Sequence, residues 1–181
     1  MTVLHDLAQE LHVSERTLRR AVAEGTIRAE RPSVRRLRLT EEEREWVLRH
    51  WPTVARLRGE LRTEPSVRLA VLFGSGARGR EHPRSDLDLV VELDGPSTAR
   101  LAGLEERLSR AAGRAVQLVP IHAAQDAPGL LADALRDGRV LVDRDAVWRR
   151  LKGREAQVRR AAEARDEELL EQALRPLEAS R

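Results

Sequence analysis

Gly74-Ser75-Gly76-Ala77-Arg78-Gly79-Arg80-Glu81-His82-Pro83-Arg84-Ser85-Asp86-Leu87-Asp88 is the stretch that decides the fold. It follows Val67-Arg68-Leu69-Ala70-Val71-Leu72-Phe73, a short, nearly uninterrupted apolar run of the kind that forms a buried strand. It opens a second apolar run, Leu87-Asp88-Leu89-Val90-Val91. Between the two, Gly74 lets the chain turn with either sign of φ. Ser75 is placed to cap a short helix over 76–80, whose free N–H groups suit an anionic phosphate. His82 to Ser85 reads as a turn. Side chains alternate along the next strand, so Asp86 and Asp88 face the same way with Cα atoms about 6.6 Å apart. Two carboxylates on one face, beside a phosphate-binding helix end, suit Mg²⁺ (or Mn²⁺), which takes oxygen ligands together with substrate phosphates.

Gly74-Ser75, then ten residues, then Asp86-Leu87-Asp88, with Ala77-Arg78-Gly79 after the serine, resembles the nucleotidyltransferase superfamily of DNA polymerase β type. The likeness is greatest to its minimal nucleotidyltransferases and runs over about residues 67–143. It implies an NTP as substrate or ligand, Asp86 and Asp88 as the catalytic, metal-holding pair, and Gly74, Ser75, Arg78 and Ser85 as nucleotide-binding residues. That family includes antitoxins that adenylylate a partner toxin, and antibiotic-modifying enzymes.

The family's third carboxylate stands on the neighbouring strand, which here reads Val116-Gln117-Leu118-Val119. Gln117 therefore occupies its position, and a neutral amide is a poor Mg²⁺ ligand and no base near pH 7. Glu92 shares the face of the pair but lies about 13 Å along the strand from Asp88. His122 and Asp126, past the strand end, are either within reach of the site or, on the preferred reading, plain loop residues. Two readings follow. In one, the chain transfers NMP from an NTP to a hydroxyl on a protein or small molecule, as an antitoxin or autoregulator. In the other, the site is catalytically degenerate and senses nucleotide or binds a partner for a DNA-binding regulator.

The chain has 181 residues, 41% hydrophobic but only 2% aromatic, so Leu, Val and Ala must fill its core. It has no Cys, which excludes disulfides and thiolate zinc sites. No apolar run approaches the roughly 20 residues of a membrane span, and the start lacks the marks of a signal peptide, so the chain reads as cytoplasmic with no membrane partner. The net charge of +3 is uneven: residues 1–68 carry 14 Arg against 11 acids, whereas residues 69–181 carry 19 bases and 19 acids.

That surplus falls on a second module. Leu4, Leu7, Ala8 and Leu11 repeat with helical spacing, and Ser14 is a good N-cap for a second helix burying Leu18, Ala21 and Val22. Only His12 and Val13 separate the helices, which resembles a helix-turn-helix. The usual turn glycine is replaced by His12, a residue that tolerates positive φ. In that arrangement the second helix enters the major groove, making Arg16, Thr17, Arg19 and Arg20 candidate base-edge contacts. Gly25 ends the helix. Thr26 to Leu39 can then form a basic β-hairpin or wing, with Arg28, Arg31, Arg35, Arg36 and Arg38 on phosphates or in a minor groove, so DNA is the expected partner of residues 14–38. Together these features resemble MerR- or excisionase-like DNA-binding domains.

Thr40 and Glu43 form a capping box opening a helix over 41–50. Trp51-Pro52 is expected to break it, with Pro52 starting the next helix over 53–62. Trp46 and Trp51 read as packing residues. Further on, a helix over 98–111, a strand over 115–121, a helix over 128–137, an extended segment over 139–142 and a charged helical stretch over 145–177 follow. Its apolar stripe, from Trp148 to Leu170, suits docking on the sheet or pairing of two chains as a homodimer. The expectation is an α+β chain: a helix-turn-helix with basic wing over 1–40 and a helical linker over 41–64. A small mixed-sheet nucleotidyltransferase-like domain with flanking helices over 65–143 and a long C-terminal helical segment over 144–181 complete it. A protein partner, of the kind an operon-encoded toxin would be, is also expected.

Overall fold

The computed structural model describes residues 2–33, 36–80, 82 and 85–178. It opens with strand β1 (Thr2–Val3), helix α1 (Leu4–Glu10) and helix α2 (Glu15–Glu24). His12 takes φ 53 in the turn between the helices, and the Ser14 hydroxyl accepts the Thr17 N–H, so both local expectations hold. Gly25 closes α2 in the left-handed conformation at φ 83. The hairpin β2 (Glu30–Ser33) and β3 (Arg36–Leu39) follows, and β1 adds to it in the order β1-β3-β2.

Helix α3 (Glu41–Thr63) is capped by Thr40 as expected, but it does not break at Trp51-Pro52. Pro52 sits inside it, exposed, with one ladder hydrogen bond forfeited. A proline in a helix interior costs about 3 kcal/mol. One continuous stripe outweighs that cost: Trp46, Val47, Trp51, Val54, Leu57 and Leu61 are all buried, and each apolar side chain contributes about 1.5–3 kcal/mol. The stripe reaches the N-terminal module at one end and the main sheet at the other, within one hydrophobic cluster.

The main sheet comprises β4 (Val67–Phe73), β5 (Leu87–Leu93), β6 (Val116–Pro120) and β7 (Arg139–Asp143), in the order β6-β5-β4-β7. Only the β5–β6 pair is parallel. Short helix α4 (Gly74–Arg78) joins β4 to β5, and α5 (Thr98–Ala112), with Ser97 as its N-cap, crosses from β5 to β6. β4 is buried on both faces, as its unbroken apolar run requires. Ala70 and Leu72 face α3 and α5, whereas Leu69, Val71 and Phe73 face a second cluster.

That second cluster is built by α6 (Ile121–Asp126), α7 (Pro128–Asp137), α8 (Val147–Lys152) and α9 (Glu155–Glu178). The segment holding His122 and Asp126 is thus a helix rather than a loop, with both residues exposed. The C-terminal stretch is two helices separated at Gly153 and Arg154. The break lets α8 pack on the sheet while Val158 and Ala162 of α9 pack inward.

Each edge strand of the main sheet bonds to a group from outside the sheet. On β6, Glu105 of α5 accepts the Leu118 N–H at 3.0 Å. On β7, Val140 donates to the Gly25 carbonyl at 3.2 Å, and the Thr26 hydroxyl donates to the Val140 carbonyl. The turn after α2 therefore occupies the β7 edge of the main sheet at Val140, which blunts edge-to-edge pairing there.

Candidate functional site

The end of β4, the helix α4 and the start of β5 bring the sequence motif together. Gly74 follows Phe73 at φ 70, a conformation that favours glycine. A Cβ there would lie 3.3 Å from Oδ2 of Asp88, so the absent side chain lets the carboxylate sit against the turn. The short helix starts at Gly74, with Phe73 in the capping position and no side-chain cap. Ser75 is therefore inside the first turn rather than capping a helix over 76–80.

Asp88 lies on the face of β5 that also carries Val90, and pairs with Phe73 across β4. Asp86 stands just before the strand, which begins at Leu87, and is exposed. Partial burial raises the Asp88 carboxyl above the ordinary carboxylate range, and the negative charge of Asp86 raises it further. Two like charges converge here, one of them partly desolvated. Such a pair fits a divalent cation, and Mg²⁺ is commonly held by one or two carboxylates with substrate phosphates completing the shell. Among the described residues no group of three His, Cys, Asp or Glu side chains is placed to hold a metal without such help.

The strand that borders Asp88 supplies Gln117 as its direct partner in the parallel β5–β6 register. Paired residues of adjacent strands project from the same face. Gln117 is exposed and occupies the place expected for a third carboxylate.

The other motif residues are placed less directly. Arg78 is half-buried, and its guanidinium pairs with the Asp137 carboxylate at 3.1 Å, at the end of α7. Burial alone would raise the Asp137 carboxyl, but hydrogen bonds from Arg136 and Arg78 and their charges hold it below the ordinary range. Ser85 accepts the His82 N–H on its hydroxyl at 3.1 Å, so it locks the turn before Asp86. Arg114, which sequence reasoning missed, donates to the carbonyls of His82 and Ser85 and anchors the same turn from the start of β6.

In the N-terminal module, Arg16 and Thr17 are exposed at the start of α2. Arg19 pairs with Glu15 at 2.6 Å and Arg20 with Glu24 at 2.7 Å, both one helical turn apart. Glu24 also holds Arg58. Burial alone would raise the Glu24 carboxyl, but the Arg20 hydrogen bond and the charges of Arg58, Arg20 and Arg62 keep it below its usual range. Arg28 is exposed. Its backbone N–H donates to Glu43 at 2.9 Å, and its guanidinium donates to the Asp137 carbonyl, so it contributes to the contact of the α2–β2 connection with α3 and α7. Arg36 lies on β3, and Arg35 falls outside the described residues.

Arg139 is a residue whose position no motif announced. Its guanidinium forks onto Glu43 at 2.6 and 2.9 Å, lies 3.4 Å over the Trp46 ring, and donates through Nε to the Ala77 carbonyl at 2.7 Å. Burial lowers its basicity, and the Glu43 hydrogen bond and charge restore part of it. An open cleft of about 590 Å³ lies beside this pair, bounded by residues 28–30, α3 and the Arg78–Arg80 segment.

The family described as Polymerase beta, Nucleotidyltransferase matches residues 56–147, a span that holds Gly74, Ser75, Asp86, Asp88 and Gln117. No curated protein sequence matches significantly. Among solved structures, a chain of a toxin–antitoxin complex with AMP-PNP superposes with a TM-score of 0.56 at 21% identity, covering 67% of this chain and 98% of that one. The MntA-HepT toxin–antitoxin gives 0.52 at 18% identity, over 67% and 97%. A tri-AMPylated Shewanella oneidensis HEPN toxin in complex with MNT antitoxin also gives 0.52 at 18%, over 67% and 96%. These likenesses, all at 21% identity or less, are of fold alone. No helix among the described residues is long and apolar enough to cross a membrane. With the sheet, the Gly74 turn and the carboxylate pair inside the matched span, the chain belongs to the polymerase beta-type nucleotidyltransferase family.

Proposed function

We propose that this chain transfers a nucleotidyl group from an NTP to a hydroxyl on a protein partner, and that its N-terminal module binds DNA. The observation that carries the first part is the Asp86–Asp88 pair, with the Asp88 carboxylate set against the Gly74 turn. Asp86 and Asp88 would hold Mg²⁺, which when bound neutralises charge on the triphosphate and on the departing pyrophosphate. The Gly74-Ser75 turn seats the phosphates through backbone N–H groups, and Gly74, lacking a side chain, lets them approach Asp88. The acceptor oxygen bonds to the α-phosphorus as the bond to the β-phosphate bridging oxygen breaks. Pyrophosphate leaves, and the hydroxyl proton passes to solvent, because Gln117 has no proton affinity near neutral pH. A protein acceptor is favoured because the related folds belong to toxin–antitoxin complexes, one with an AMPylated toxin.

DNA binding rests on the exposed start of α2, where Arg16, Thr17, Arg19 and Arg20 lie. The ion pairs of Arg19 and Arg20 are solvent-exposed and contribute little, so exchange for phosphate contacts costs little. The module resembles MerR- or excisionase-like domains, with residues 30–39 as the wing. A DNA-binding antitoxin or autoregulator is the resulting role.

The second reading, a nucleotide sensor without turnover, is favoured by Gln117 beside Asp88. One experiment separates the two. The chain is incubated with radiolabelled NTP, Mg²⁺ and its operon neighbour, beside an Asp86→Ala/Asp88→Ala control. Label that depends on both aspartates supports transfer. Mg²⁺-dependent nucleotide binding without label supports sensing, and absence of both sinks the reading of the site.

A further inference from the structure

Helix α4 is five residues long, and a helix so short is not stable by itself in water. Something must hold it against β5 in the orientation that the phosphate turn needs. The holding contacts come from outside the motif. The Trp46 indole N–H donates to the Gly76 carbonyl at 3.0 Å, and Arg139 Nε donates to the Ala77 carbonyl at 2.7 Å. Both carbonyls lie in the last turn of α4, where a helix leaves acceptors unsatisfied and where a cation is favoured. Gly79 then closes the helix at φ 70, and a Cβ there would stand 2.9 Å from Trp46 Cδ1. The glycine of Ala77-Arg78-Gly79 is thus shaped by Trp46 as well as by its own backbone.

Trp46 and Arg139 are themselves fixed. Arg139 is 2% exposed, lies over the Trp46 ring and is forked on Glu43. Glu43 is located by the Thr40 cap at the start of α3 and accepts the Arg28 N–H of the α2–β2 connection. Arg139 also donates to the Thr26 carbonyl at 3.3 Å. The α2–β2 connection, the start of α3 and the nucleotide helix therefore meet on one guanidinium. Glu43 and Trp46 precede residues 56–147, so two of the three side chains lie outside the family match.

We propose that Trp46, Glu43 and Arg139 are positioning residues of the nucleotide site, through which the N-terminal module sets the affinity of the Gly74-Ser75 turn for Mg²⁺-nucleotide. This rests on the reading of that turn as a nucleotide site. Trp46→Phe keeps an aromatic ring beneath Arg139 and removes the indole N–H that donates to α4, along with the five-membered half of the indole. Glu43→Gln and Arg139→Lys disturb the anchor itself. Leu108→Ala, buried on α5 away from α4, is the control for stability alone.

The test titrates Mg²⁺ with a non-hydrolysable ATP analogue into the full chain by calorimetry, and follows backbone hydrogen exchange over residues 74–80. Loss of one such hydrogen bond weakens an equilibrium roughly 2- to 10-fold, which is the expected drop in nucleotide affinity for Trp46→Phe. Exchange over 76–80 should quicken in the same variant while β5 stays protected. Glu43→Gln and Arg139→Lys should weaken binding further, whereas Leu108→Ala should lower the melting temperature without changing affinity. Wild-type affinity and exchange in folded Trp46→Phe overturn the inference alone. So does an equal loss of affinity in Leu108→Ala. Absence of Mg²⁺-dependent binding in the wild-type chain overturns both the reading of the site and this inference.

Discussion

Gln117 and Asp88 are direct partners across the parallel strands β6 and β5. The amide therefore borders the carboxylate on the face of the sheet that holds the candidate site. General-base assistance is worth about 10²–10⁴ in rate. Gln117→Asp is expected to raise label transfer by about 10²-fold, toward the lower end of that range, and Gln117→Asn to leave it unchanged. Equal rates across the three proteins in a single-turnover assay would show that position 117 lies outside the reaction.

Asp88 is held above its ordinary carboxyl value by burial and by Asp86. A carboxylate raised on folding binds its proton more tightly in the native state, so its charge costs stability. The cost is absent below the unfolded value, grows as pH rises, and is complete above the folded value. At neutral pH, Asp88→Asn should therefore raise the melting temperature in EDTA, and Mg²⁺ should raise that of the wild type but not of the variant. One kcal/mol is worth about 2–4 °C in a chain of this size, which sets the scale for differential scanning fluorimetry. A wild-type melting curve indifferent to Mg²⁺ would contradict metal binding by this pair.

Gly79 and Gly113 both end helices at φ near 70, but only Gly79 has a neighbour within reach of an added Cβ. Placing an L-residue in the left-handed region costs about 1–2 kcal/mol, and both Gly→Ala substitutions carry that cost. Gly79→Ala should lose more stability than Gly113→Ala, the excess reporting the Trp46 contact. Equal chemical-denaturation midpoints would mean that Trp46 yields without cost.

Arg16 and Arg28 should behave differently toward DNA. Arg16 is exposed on α2, whereas the Arg28 guanidinium donates to the Asp137 carbonyl. Each phosphate contact contributes about 0.9 to the slope of log affinity against log salt. Arg16→Ala should lower both affinity and slope, and Arg28→Ala should leave the slope unchanged, in fluorescence-anisotropy titrations against promoter DNA. No affinity for that DNA at low salt would remove the case for the N-terminal module as a DNA reader.

Local chemistry was legible in the chain wherever one residue's preference settles one turn. Ser14 and Thr40 cap their helices, Gly25 and Gly113 end theirs, and His12 takes positive φ. Gly74 and Asp88 also stand together, because they lie at adjoining ends of the paired strands β4 and β5. Legibility failed where tertiary packing opposes a local preference. Pro52 ought to divide α3, yet burial of Trp51, Val54 and Leu57 on the same stripe keeps the helix whole. Arg28 reads as a wing cation, but its surroundings are set by Asp137, a residue 109 positions away.

From its residues alone, then, this protein has two apolar strands whose connection sets Asp88 beside a glycine turn with Asp86 two residues before it, preceded by two helices and an arginine-rich hairpin. Spacing determines that much, because backbone periodicity places side chains a few residues apart with no help from the rest of the chain. Only the tertiary structure decided what joins the two parts. Arg139 meets Glu43 across 96 positions and reaches α4 and the Thr26 carbonyl after α2 from one buried guanidinium. No local pattern specifies such a contact, because a buried charge persists only where the fold supplies its opposite charge and its acceptors together.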